Sequence, residues 1–138
     1  MGFELALPVV FFEPMSHYGI TPGDIQHFPD YVWSYFKSVP TVWGETRLLS
    51  GYPGRDVVMA RRSGNTWYVA GINGEAVEKD IILNLSTLGK VVKAEIIYTD
   101  PVRPNATVSQ KLHLGRQTAF GVHLAGNDGF VMMVTTKR

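Results

Sequence analysis

The sequence predicts a mainly β fold, an antiparallel two-sheet β-sandwich of about eight short strands preceded by a short helical segment. Three observations carry that reading. From Thr46 onward, short apolar runs rich in β-branched and aromatic residues recur, each closed by Gly, Asn, Asp or Pro. Several of these runs alternate in polarity: in Val91 to Tyr98, the residues Val92, Ala94, Ile96 and Tyr98 are set inward against Lys93 and Glu95. Before Pro40 the alternation gives way to helix start and stop signals.

In chain order, Phe3 to Phe12 is apolar apart from Glu4, with Pro8 inside it. Such a run needs cover on more than one side. We expect a missing surface to provide it, either an upstream domain or another copy; the competing reading is an ordinary core element of this domain. Glu13-Pro14 ends the run and Ser16 to Gly19 reads as a loop. Thr21-Pro22-Gly23-Asp24 reads as a helix start, with Thr21 as N-cap and Asp24 placed to favour the helix dipole. Pro29 restarts the helix, which continues to about Ser38 with Tyr31, Val32, Tyr35 and Phe36 on one side and Trp33 off that stripe.

The strands then follow. Thr46 to Ser50 is the first, closed by the turn Gly51 to Gly54. Val57 to Ala60 and Trp67 to Ile72 form the central hairpin, with Arg61-Arg62-Ser63-Gly64-Asn65 between them, and Asn73-Gly74 turns the chain again. Asp80 to Ser86 presents Ile81, Leu83 and Leu85 on one face. After Val91 to Tyr98 comes the loop Asp100 to Asn105, then Thr107 to Leu114 with Leu112 and Leu114 inward. Ala119 to Leu124 and Phe130 to Thr135 are expected to close as a hairpin around Gly126 to Gly129, with Phe120, Val122, Leu124, Phe130, Met132 and Val134 on its core face.

Composition narrows the function classes. Lys and Arg total 13 against 12 for Asp and Glu, a net charge of +1, which is not the field of a nucleic-acid binder. No apolar run approaches the roughly 20 residues that span a bilayer, so no membrane partner is expected. With no cysteine, disulfides and thiolate metal sites are excluded. Met1-Gly2 leads at once into structured sequence, and we expect the chain to be cut from a longer protein.

No residue is assigned as catalytic, cofactor-binding or metal-binding. His17, His27, His113 and His123 show no ligand spacing, and His113 and His123 fall on outward strand positions. Among the acidic residues, Asp24 and Asp30 suit helix starts, and Glu4 and Glu13 form no recognisable pair. Trp33, Trp43, Trp67, Tyr18, Tyr31, Tyr35, Tyr52 and Tyr68 offer an alternative, a carbohydrate-binding module using exposed aromatics, against the ordinary role of aromatics as core. Asn84-Leu85-Ser86 and Asn105-Ala106-Thr107 match the glycosylation sequon. Arg61 and Arg62 read as a solvated hairpin tip that guards an edge, or as partners for acidic groups on a neighbouring domain.

Several stretches resemble the C-terminal region of glycoside hydrolase family 97: Glu4-Leu-Ala-Leu-Pro-Val-Val-Phe-Phe-Glu-Pro14, Thr21-Pro-Gly-Asp24, Val39-Pro-Thr-Val-Trp-Gly-Glu-Thr46, Ala60-Arg-Arg62 and Gly64-Asn-Thr-Trp-Tyr-Val-Ala-Gly-Ile-Asn-Gly74. The resemblance covers roughly Glu4 to Leu88 and fades in the last third; it departs at Gly44, where the family usually has Asp. It implies that residues 1–39 are the tail of a catalytic (β/α)8 barrel and residues 40–138 a non-catalytic C-terminal sandwich that packs on the barrel and supports oligomerisation. It further implies a parent α-glucosidase or α-galactosidase, bacterial and periplasmic, whose catalytic carboxylates and calcium ligands lie upstream. No cofactor is then expected in this chain.

Overall fold

Period-two alternation becomes a half-buried strand when one face meets a core, and it disappears when both faces do. Both cases occur here. The computed structural model describes residues 1–12, 15, 18–114 and 119–137; the expectations for Glu13, Pro14, Ser16 and His17 lie outside the described residues.

The chain forms α1 (Gly2–Val10), a single 3₁₀ turn at Asp24–Gln26, and α2 (Asp30–Ser38). The strands are β1 (Glu45–Tyr52), β2 (Asp56–Ser63), β3 (Thr66–Asn73), β4 (Lys79–Asn84), β5 (Val91–Thr99), β6 (Thr107–Leu112), β7 (Ala119–Leu124) and β8 (Asp128–Thr136). One antiparallel sheet runs β1-β2-β3-β8-β5-β6 and a second pairs β4 with β7. The expected mainly β, two-sheet antiparallel fold with a helical lead is what forms.

Between the sheets lies a core that includes Val58, Trp67, Val69, Ile81, Leu83, Ile96, Val122, Leu124, Phe130, Met132 and Val134. On the opposite face of the large sheet, α1 and α2 bury Leu5, Ala6, Val9, Val32 and Tyr35 against Tyr68, Ala70, Ile72, Ile97 and Val131. The order of layers is therefore helices, large sheet, small sheet. Because β3 sits in the middle layer, every residue from Trp67 to Asn73 is buried.

This arrangement corrects the expectation for Phe3 to Phe12. Most of the run is helix α1, and the large sheet's own outer face covers it, leaving Leu5 at 1% and Val9 at 0% exposed. The ordinary core reading holds for the helix. Only the end of the run opens to solvent, with Phe11 at 55% and Phe12 at 62%.

The last hairpin is also corrected. β7 pairs with β4, placing Val122 opposite Ile81, whereas β8 lies between β3 and β5, placing Met132 opposite Val69 and Ile96. Phe120, Val122 and Leu124 thus face Phe130, Met132 and Val134 across the core. Alternation reports which side of a strand is buried and not which sheet holds the strand. A similar limit explains Val92. A register shift between Val91 and Lys93 turns that side chain outward, and it is exposed.

The central hairpin is tighter than expected. Ser63 pairs with Thr66, so only Gly64 and Asn65 turn the chain, and Gly64 has φ 58°. Positive φ at the first central residue belongs to the type II′ turns that match strand twist, and glycine adopts it without a Cβ clash. The expected Thr21 N-cap and the helix after it do not form: Gly23 precedes the single turn without a side-chain cap, and the Thr21 N–H and hydroxyl instead donate to Asp24 Oδ2 at 2.8 and 2.6 Å. Those hydrogen bonds hold the Asp24 carboxyl below its ordinary pKa. Pro29 restarts the helix as expected, and its carbonyl accepts from Val32 N at 2.9 Å.

Candidate functional site

The helical side carries exposed apolar side chains, among them Phe11 and Ile25. α2 is tied to the rest through three tyrosines. Tyr35 Oη donates to Leu5 O at 2.7 Å, Tyr68 Oη to Ser38 O at 2.6 Å, and Tyr31 Oη to Thr107 O at 2.5 Å. Tyr35 is 1% exposed, and burial first of all holds its hydroxyl well above the ordinary tyrosine pKa. Trp33, off the α2 stripe, is partly buried; it packs edge-on against Phe28 at 5.7 Å and donates to Ile25 O at 3.2 Å. Between α1 and this aromatic cluster runs a groove of about 570 Å³, lined by Leu7, Pro8, Phe11, Ile20, Phe28 and Phe36 among others. Phe11, which lines the groove, is more than half exposed, as are Phe12, Met15 and Ile25.

Arg61 and Arg62 are not a solvated tip. Both lie within β2, and Arg61 is 7% exposed. Its Nε donates to Val9 O at 2.5 Å, one Nη to Val10 O at 3.4 Å and the other to Thr46 Oγ1 at 3.1 Å. A guanidinium at the last carbonyls of α1 satisfies acceptors that a helix end leaves open and sits at the negative end of its dipole. Arg62 pairs with Glu45 at 3.0 Å. Together with Arg47 it lies over the indole of Trp67, at 5.6 and 4.9 Å from the ring centroid. The hydrogen bond from Arg47, followed by the nearby positive charges, holds the Glu45 carboxyl below its ordinary pKa.

The expected aromatic platform does not assemble. Trp67, Tyr35 and Tyr68 are interior, and Trp43 packs edge-on against Tyr68 at 5.4 Å. Of that set Tyr52 is well exposed, at 65%. His27 bonds Gly23 O at 2.9 Å, His113 is exposed, and His123 meets Asp80 Oδ1 at 2.8 Å. Asp80, through that hydrogen bond, raises the His123 pKa. Glu4, Asp24 and Asp30 stand at separate helix or turn starts. Among the described residues no three His, Asp or Glu side chains converge as a metal site. Asn84 and Asn105 are both exposed; the Asn84 side chain accepts from Ser86 N at 3.0 Å, capping the 3₁₀ turn Leu85–Leu88.

Sequence reasoning missed a second cavity, of about 530 Å³, where β6 parts from β7. Its one legible sign is Gln110, an amide between Val108 and Leu112 on the inward side of β6.

The sequence profile of the "Glycosyl-hydrolase 97 C-terminal, oligomerisation" family matches residues 42–135. The chain belongs to this family. The match runs through the last third, where the resemblance read from motifs fades. Among curated proteins, a retaining alpha-galactosidase of Bacteroides thetaiotaomicron is 30% identical over 135 residues, covering 95% of this chain and 20% of that protein. A probable retaining alpha-galactosidase of Streptomyces bingchenggensis is 32% identical over 85 residues, covering 61% of this chain and 13% of that protein. The crystal structure of a beta-arabinopyranosidase superposes with TM-score 0.84 at 27% identity, over 95% of this chain and 20% of the other. A glycoside hydrolase family 97 enzyme from Pseudoalteromonas sp. strain K8 shares the fold, with TM-score 0.86 at 24% identity over 99% of this chain and 22% of the other. The family 97 C-terminal domain spans a fifth or less of the curated relatives it matches.

Proposed function

We propose that this domain is a non-catalytic flank of an α-glycosidase, packing against the catalytic barrel and joining copies of the enzyme through its helical side. The observation that carries the reading is the α1 groove with Phe11 open at its edge and Phe12 exposed next to it in the chain, in a chain of an oligomerisation family. Burial of that surface is the driving force. In this reading residues 1–39 are the tail of the barrel, clamped to the sandwich of residues 40–138 by α1 and α2. The names of the two curated relatives favour α-galactosides as the whole protein's substrates, with α-glucosides second. The catalytic carboxylates and calcium ligands lie upstream, in a protein exported to the periplasm.

Light scattering of this chain across a concentration series tests the reading. The expected result is reversible self-association that the double variant Phe11→Ser, Phe12→Ser abolishes. A chain that stays monomeric throughout, or a variant that associates as before, overturns the proposed surface. A chromogenic α-galactoside gives no turnover with the isolated chain, and metal-dependent hydrolysis would refute the non-catalytic assignment.

A further inference from the structure

We infer that the cleft between β6 and β7 is a binding site for an uncharged sugar ring. Its volume, about 530 Å³, lies within the range of small-ligand pockets, roughly 300–1,000 Å³. One wall is the inner face of the large sheet, with Tyr98 and Gln110; Phe120 of the small sheet stands on the other.

The register shows why Gln110 is out of place in a plain sandwich. Ala94 opposes Leu112, Ile96 opposes Gln110 and Tyr98 opposes Val108. Gln110 therefore occupies an inward position where the pattern calls for an apolar side chain. It remains exposed, and among the described residues neither its amide nor the Tyr98 hydroxyl has a hydrogen-bond partner. Tyr98 and Phe120 are each half-sunk into the core, which holds their rings in place beside the opening. Flat apolar rings next to unpaired hydrogen-bonding groups match a pyranose, which has apolar C–H faces and a hydroxyl rim.

Charge selects among hydroxyl-rich ligands. Glu78, Asp100 and Asp128 line the cleft with His123, and neither Lys nor Arg is among the described lining residues. Asp100 is committed to Arg103, at 2.9 Å, and to the Val102 N–H, also at 2.9 Å. Asp128 accepts from Thr99 Oγ1 through Oδ1 at 2.7 Å. Asp100 is thereby filled and its charge paired, whereas Glu78 and the second carboxylate oxygen of Asp128 keep capacity for hydroxyl donors and repel anions. The ligand class is therefore a neutral sugar and not a uronate or a phosphorylated one. The site lies on the opposite side of the large sheet from α1 and α2, so it stays open when the helical side is covered. It takes from the proposed function only the choice of sugars to try.

Titration of the isotope-labelled chain with maltotriose, melibiose and glucuronate, followed by amide NMR, tests this. Maltotriose or melibiose is expected to give saturable shifts at Tyr98, Gln110 and Gly121, with Leu7 and Phe36 unmoved and glucuronate binding more weakly. Gln110→Ala removes an exposed side chain and should weaken binding about tenfold. Tyr98→Phe keeps the ring and should weaken it roughly fivefold. No saturation with either neutral sugar, saturation at the helical groove instead, glucuronate binding as tightly, or both variants binding like the parent would overturn the site. None of those outcomes bears on self-association through Phe11 and Phe12, so the two readings fail separately.

Discussion

The Arg61 guanidinium reaches out of β2 to the carbonyl oxygen of Val9, 2.5 Å from its Nε, and closes the C-terminus of a helix that lies more than fifty residues earlier in the chain. One side chain thereby couples the helical layer to the large sheet.

Replacing Arg61 by Ala leaves helix-end carbonyls without that donor in a region closed to water. The expected cost is roughly 2–4 kcal/mol of folding stability, read as a lower urea midpoint at unchanged slope. Arg61→Lys should recover part of it, since an ammonium keeps the charge but not the fork. Arg62→Ala, at a half-exposed position, should cost less than about 1 kcal/mol. Equal losses at the two positions would contradict the capping role.

Gly71 lies under the Phe130 ring. A Cβ built there would stand 2.3 Å from Phe130 Cε1, and Phe130 is itself 0% exposed. Gly71→Ala must displace a packed ring, and about 1–3 kcal/mol of destabilisation is expected from thermal unfolding. The same substitution at Gly121, where an added Cβ meets nothing within 4 Å, should be close to neutral.

Lys79 binds Asp56 and, at 2.5 Å, Glu75, which Arg55 also meets at 3.1 Å. The hydrogen bond from Lys79, then that from Arg55, lowers the Glu75 pKa. With the folded value below the unfolded one, the stabilisation is complete above the ordinary carboxylate range and is lost as pH falls through the lowered value. The Lys79 pKa is raised, chiefly by its bond to Asp56, so its own contribution persists through neutrality and is lost only as pH rises beyond the ordinary lysine range. Lys79→Met should therefore flatten the acid limb of a stability-against-pH curve. An acid limb identical to the parent's would show that the ion pair contributes nothing.

Local chemistry was readable where one residue type admits few backbone choices. Pro29 and Pro40 bound α2, Gly64-Asn65 turns the hairpin, and Ile81 and Leu83 mark the buried face of β4, because sterics and period-two burial act within a few residues; Leu85 is buried from the 3₁₀ turn that follows. The family was readable from motifs such as Ala60-Arg-Arg62 without any coordinate.

What covers α1, which sheet takes β7 and which takes β8, and whether Arg61 faces water or a helix end were decided only by the tertiary structure. The same holds for the cleft beside Gln110. Each depends on what stands opposite a face, and two apolar faces packed across a core leave the same alternation in the chain as two that lie side by side.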